Sequence, residues 1–238
     1  MDLFLGDNTK YEIVGNNMQS LNIYLDAGEE VYADSGHLIN KASSITMTPR
    51  MTGGLFKAIE RKATGATALL TVFRSNSPQA KLSIGSSIPG KILAIELEEN
   101  ETFSIEDNAF LAATSSLQFT IQTVSLGAAF FGGAGLVLQK YTGPGILFMH
   151  IVGDPIEYDI NPTTPMEVDP GHIAGFSSGL KFNIKFVDNI RTAMFGGVGL
   201  FLASFEGSGK LLLHSISERK MASELYLLGL SQNKQDSQ

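Results

Sequence analysis

The sequence predicts an all-β protein made of three tandem, pseudo-symmetric units in one compact body. Two observations carry that prediction: a turn phrase that recurs three times in register, and apolar residues that alternate at period two around it. The copies read Val31-Tyr32-Ala33-Asp34-Ser35-Gly36-His37-Leu38-Ile39, Phe103-Ser104-Ile105-Glu106-Asp107-Asn108-Ala109-Phe110-Leu111 and Met166-Glu167-Val168-Asp169-Pro170-Gly171-His172-Ile173-Ala174. The acid, the turn residue and the apolar pair coincide in all three. Six residues beyond each copy stand Ile45, Leu117 and Leu180.

Taken in chain order, Leu21, Ile23 and Leu25 alternate as a strand does, and so do Phe119 with Ile121, and Phe182, Ile184 and Phe186. An acid two residues before Gly or Asn is turn chemistry, because the carboxylate caps its own backbone and Gly accepts positive φ. Each unit therefore reads as a hairpin followed by a further strand pair. Ser43-Ser44, Ser115-Ser116 and Ser178-Gly179 precede the next strands, and Gly53-Gly54, Gly132-Gly133 and Gly196-Gly197 form a second landmark. Eleven positions past the last two come Gly143-Pro144-Gly145 and Gly207-Ser208-Gly209, where the first unit has only Gly65. The segment Gly207 to Lys210 reads as a hairpin turn. Glu218 to Leu230 fits a short amphipathic helix, and Phe56 to Arg61 one helical turn.

The turn residues lie 72 (108 − 36) and 63 (171 − 108) positions apart. That is too long for a solenoid repeat and suits small β units. Unit boundaries fall near 10–90, 91–155 and 156–220 within a body spanning 1–230, leaving Ser231 to Gln238 as a flexible polar tail. Nothing Gly/Ser-rich or Pro-rich separates the copies, and units of about 70 residues hold a core poorly alone, so they are expected to share buried surface.

Composition bounds the function. A chain of 238 residues with 43% hydrophobic content buries roughly 70% of its unfolded surface. It has no cysteine, which excludes disulfides and thiolate metal sites and suits a reducing compartment. The amino terminus lacks the basic and apolar regions of a signal peptide, so the expected location is a prokaryotic cytoplasm. A net charge of −7 disfavours nucleic acid. Asn108 to Gln139 carries no charge, and its last 13 apolar residues, Leu126 to Leu138, are too few to span a membrane. Together with Ala193 to Leu202 they suggest buried strands with a Gly-rich bend. They also suggest an apolar contact surface at Phe130, Phe131, Leu136, Phe195, Leu200 and Phe201, facing another subunit or a membrane.

Several chemical motifs dissolve on inspection. Gly132-Gly133-Ala134-Gly135 lacks the third glycine of a dinucleotide loop, and Gly207-Ser208-Gly209-Lys210 is followed by Leu211, not Ser or Thr. Gly175-Phe176-Ser177-Ser178-Gly179 spells a nucleophile elbow, but its Ser position recurs in the other units without flanking glycines. His37 and His172 share one repeat position, and His150 and His214 another. Duplication of a unit accounts for both pairs, although pseudosymmetry leaves open a metal site built from them.

Glu29-Glu30-Val31 with Asp34, Gly36 and Leu38, Gly53-Gly54-Leu55, Asn108 to Ala112, and Phe131-Gly132-Gly133-x-Gly135-Leu136 ahead of Gly143-Pro144-Gly145 together resemble the altered-inheritance-of-mitochondria family. The likeness runs from about Tyr11 to His214, and the polar Glu206-Gly207-Ser208-Gly209 departs from it. The resemblance implies a fold like the tryptophan RNA-binding attenuation protein (TRAP) superfamily: short β-sandwich or double-stranded β-helix units, with subunits joining as homo-oligomers, trimers favoured. It transfers no catalytic residue and no cofactor. The expected function is a non-enzymatic scaffold working through protein or peripheral membrane contacts. The alternatives are a ligand- or RNA-binding ring and a cryptic hydrolase or metal enzyme using His37, His172 or Ser177.

Overall fold

Nineteen strands and one helix build the described part of the chain, and nearly all strand pairing is antiparallel. The computed structural model describes residues 10–49, 70–124, 136–186 and 201–235. The strands are β1 (Lys10–Val14), β2 (Ser20–Leu25), β3 (Glu30–Asp34), β4 (Leu38–Lys41), β5 (Ile45–Pro49), β6 (Leu70–Ser75), β7 (Ala80–Gly85), β8 (Gly90–Leu97), β9 (Thr102–Glu106) and β10 (Phe110–Thr114). They continue with β11 (Gln118–Val124), β12 (Leu136–Thr142), β13 (Gly145–Val152), β14 (Pro155–Ile160), β15 (Met166–Val168), β16 (Ile173–Ser177), β17 (Leu180–Phe186), β18 (Phe201–Gly207) and β19 (Gly209–His214). The helix α1 (Glu218–Gln235) follows. It runs on through five residues that the sequence suggested as tail, and Phe56 to Arg61 lies outside the described residues.

Four sheets result. The first has the order β1-β2-β7-β4, the second β5-β6-β3-β10-β13-β8, the third β11-β12-β9-β16-β19-β14 and the fourth β15-β18-β17. They stack in that order, because successive side chains of the middle strands enter different cores. In β13 every residue is buried: Ile146 and Phe148 join Leu21, Leu82 and Ile84 of the first sheet, while Leu147, Met149 and Ile151 join Phe103, Ile105 and Tyr141 of the third. Leu211 and Leu213 of β19 meet Ala203 and Phe205 of the fourth sheet, and Leu212 between them turns back to the second. The central strands of the two middle sheets therefore have a core on each face, while the edge strands β5, β11 and β14 are largely exposed.

The acid-containing turns are corners, not the hairpins the sequence suggested. Asp34 and Glu106 each end a strand and Asp169 directly follows one, and a carboxylate oxygen accepts the N–H two residues on, from Gly36 at 2.8 Å, Asn108 at 2.9 Å and Gly171 at 2.9 Å. A three-residue 3-10 turn follows, and the chain enters a different sheet. Gly36 and Gly171 keep negative φ, so the turn uses their backbone N–H and not their conformational freedom. A register shift then recurs in the next strand, between Leu38 and Asn40, Phe110 and Ala112, and Ile173 and Gly175. The link at Gly207 to Lys210 is likewise no hairpin, since β18 and β19 lie in different sheets. There Gly207 does adopt φ 111°, and a side chain would strike the Gly179 carbonyl.

A side chain deep in the stack should dominate stability. Phe148→Ala, at a position with no exposure, is expected to lower unfolding free energy by about 3–5 kcal/mol in urea titrations. Ile121→Ala, at a position 41% exposed, should change it by less than about 1 kcal/mol.

Candidate functional site

The chemistry-bearing side chains gather along the corners. The strand after each corner pairs with β7, β13 or β19, and the last two carry His150 and His214 into the same region. The result is a row of imidazoles. His150 feels the charge of His37, and His214 that of both His150 and His172. Burial is the larger cause, and the two inner rings are held down to about 4, His150 despite a hydrogen bond to the Ile88 carbonyl. The Val152 N–H donates to His214 Nδ1 at 3.0 Å, so the neutral ring carries its proton on Nε2. His172 Nδ1 donates to the His214 carbonyl at 2.8 Å, and His37 Nδ1 sits 3.7 Å from Asp34 Oδ2. The His172 bond ties the third corner to β19, whereas the His37 approach stays within the first corner. Among the described residues no three His, Asp or Glu side chains are arranged to hold a metal ion.

A cleft of about 340 Å³ opens between the second and third corners and the start of α1, lined by Glu106, Gly171, His214, Ser217, Glu218 and Arg219 among others. Ser217 caps the helix with its carbonyl, accepting the Met221 N–H at 3.0 Å. Its Oγ, 3% exposed as a residue, has no hydrogen-bond partner. Burial raises Glu106, the charges of Asp107 and Glu218 add to it, and the carboxyl is pushed up to about 8 against hydrogen bonds from Asn108 and Ala109. Burial likewise raises Glu218. Asp107 is raised by burial and by Asp34, against a short hydrogen bond from the Gln139 amide, which in turn accepts from Tyr141 Oη at 2.5 Å. Asp169 goes the other way. Burial opposes its ionisation, but Lys220 at 2.9 Å, the Gly171 N–H and the charge of His172 together hold it low.

Ser177 stands at the end of β16, where its Oγ accepts the Lys210 N–H at 3.0 Å. Thr114 does the same for Ile146 at 3.0 Å. Both hydroxyls fasten the link into the following strand, and a turn into β17, not a helix, follows Ser177. Of the proposed contact surface, Phe130, Phe131, Phe195 and Leu200 lie outside the described residues. Leu136 is buried in the core between the third and fourth sheets, and Phe201 packs half-buried at its margin. The cleft itself went unread in the sequence. Its signal was Ser217 ahead of a helical pattern, the residue type that starts helices.

These corners and stacked antiparallel sheets define a class, a layered β protein. The chain belongs to the mitochondrial biogenesis AIM24 family, whose profile matches residues 11–216. An uncharacterized protein of Streptococcus pyogenes serotype M6 is 26% identical over 228 residues, covering 92% of this chain and 91% of that one. A crystal structure of a Streptococcus pyogenes protein is similar in fold, with TM-score 0.76 and 23% identity over 92% of this chain and 99% of the other.

Glu106 makes the fold pH-dependent. Its folded value near 8 lies above the ordinary glutamate range, so the stabilisation is complete below about pH 4 and is lost as pH rises to about 8. Glu106→Gln, which keeps an acceptor for the Asn108 N–H, should gain on the order of 1–2 kcal/mol over the wild type at pH 8.5 after allowance for solvent screening, and almost nothing at pH 4. Urea midpoints at the two pH values measure this, and an equal difference at both would refute it.

Proposed function

We propose that this protein is a non-enzymatic interaction scaffold: three tandem copies of one TRAP-like β module in a single body, acting through protein or membrane-surface contacts at the prokaryotic membrane periphery. One observation carries the reading, a pairing scheme that returns along the chain. The first strand of each set (β3, β9, β15) pairs with the fourth (β6, β12, β18), which also pairs with the third (β5, β11, β17). The second (β4, β10, β16) pairs with the fifth (β7, β13, β19), and the fifth with a strand from the preceding segment (β2, β8, β14). The polar groups that would suggest catalysis serve this scheme: acids cap corners, hydroxyls hold links, and the rings of His150, His172 and His214 bond to backbone.

No helix among the described residues is long and apolar enough to cross a membrane, and the membrane contact proposed is one at the surface. The apolar Phe130, Phe131, Phe195 and Leu200 occupy the connections between third and fourth strands, equivalent places in two of the sets. Liposome flotation with anionic vesicles tests this. The wild type should rise with the vesicles and Phe130→Ser/Phe131→Ser should remain below, and soluble behaviour of both would remove the membrane version.

The cleft favours a second reading, a site for a small hydrogen-bonding ligand. Ser217 Oγ is unpartnered at its wall, and Glu106 and Glu218 offer acceptors or protons to a hydroxyl or amine. A thermal-shift series with short diamines, compared between the wild type and Ser217→Ala, checks it. A shift for the wild type that is at least halved in the variant is the expected result, and none for either ends the reading.

A further inference from the structure

We propose that the cleft between the second and third corners binds a primary ammonium on a short aliphatic chain, held by the carboxylates of Glu106 and Glu218 beside Ser217 Oγ. The inference rests on the ligand-site reading of this cleft and names the chemistry of the ligand. It starts from an irregularity in the repeat. The first and third corner acids each have a base: His37 Nδ1 lies 3.7 Å from Asp34 Oδ2, and Lys220 Nζ lies 2.9 Å from Asp169 Oδ2, with the charge of His172 adding to it. Both histidines stand three residues after their acids, and at that place the second corner has the buried Ala109. The charges acting on Glu106 are acidic, those of Asp107 in its own corner and Glu218 of α1.

The third corner shows what an ammonium supplies. Asp169 is held low in spite of burial because Lys220 and the Gly171 N–H favour its charge. Glu106 has hydrogen bonds of the same kind, from the Asn108 backbone at 2.9 Å, the Asn108 side chain at 3.1 Å and the Ala109 N–H, yet it keeps its proton far above the ordinary glutamate range. Two corners capped alike differ in the cation. An ionised carboxylate has about four lone-pair sites, so Glu106 retains room for one more donor.

Ser217 adds an independent sign of a ligand. It is 3% exposed and lines the cleft, and its Oγ accepts none of the first-turn N–H groups of α1, the bond a serine before a helix commonly makes. An ammonium has three donors, enough for this hydroxyl and both carboxylates together. The positive end of α1, about half a unit charge, opposes a cation and is smaller than the ionised pair. Arg219 lines the cleft and is not among the charges that act on Glu106 or Glu218; His214 is neutral, and Lys220 is engaged with Asp169. A volume of about 340 Å³ suits a chain of a few carbons.

Binding is thereby coupled to proton release. Glu106 is mostly protonated at pH 7 and the ammonium takes its ionised form, so close to one proton leaves per ligand from this group. Affinity should rise nearly tenfold per pH unit from about pH 6 towards pH 8 and then level off.

Thermal shift and titration calorimetry on the full chain test this. Diaminobutane should raise the unfolding temperature at pH 7.5, while butanediol and succinate, neutral and anionic chains of similar length, should not. Calorimetry in phosphate and in HEPES, whose ionisation heats differ, should count close to one proton released at pH 7. Glu106→Gln should weaken diaminobutane binding about tenfold or more and abolish the release. Glu218→Gln should weaken it too, and full affinity in that variant overturns the paired arrangement. A diamine shift that needs Ser217 but releases no proton and survives Glu106→Gln overturns the ammonium assignment and leaves the ligand site standing, as does an equal shift with butanediol. A larger shift with succinate overturns it in favour of an anion at the helix start. No shift with the diamine ends both this inference and the reading beneath it.

Discussion

The acid-capped corner is the interaction on which the rest of this structure depends. A strand leaving its sheet must abandon one ladder before it joins another, and its backbone groups need partners meanwhile. Asp34, Glu106 and Asp169 supply them by accepting the N–H two residues on. That local bond lets a short 3-10 turn redirect the chain across a layer, and at the register shift just beyond, successive residues Leu111 and Ala112 of β10 face the same core while Phe110 and Ala113 face the other. Without corners the chain would fold back as hairpins within one sheet, and the double-faced burial of β13 and β19 would be lost.

Placing carboxylates and imidazoles at these crossings has an electrostatic cost that the fold resolves one site at a time. Asp169 keeps its charge because Lys220 lies beside it, whereas Glu106, with Asp107 and Glu218 for neighbours, holds its proton near neutrality. His150 and His214 stay neutral to about pH 4, so what they contribute is present above about pH 6.5 and is lost as pH falls toward 4. Glu106 works against the alkaline side and the histidines against the acid side, which places greatest stability between.

The β class and many of the strands were legible because period-two alternation is local: Leu21, Ile23 and Leu25 are all fully buried on one face. The corners were legible as turns and misread as hairpins, since an acid two residues before Gly specifies a reversal of direction and says nothing about which strand pairs next. Pairing was decided by Phe110, Leu147 and residues far away along the chain. The cleft was hidden for a similar reason. Glu106 looks like one more turn acid, and only its meeting with a helix that starts 112 positions later (218 − 106) gives it an unusual environment.

Two sheets with a core on each face also dictate how the molecule can come apart. Removing either middle sheet exposes two cores at once, while an outer sheet guards only one, so the layers are unequal under fluctuation. Amide protons of β13 and β19 belong to the slow-exchanging heart of the molecule, and those of β1 and β17, each at the rim of an outer sheet, to its most readily opened margin. The stack is thus graded from centre to surface, and its ends are where a protease, or a neighbour offering a strand, first finds backbone to grasp.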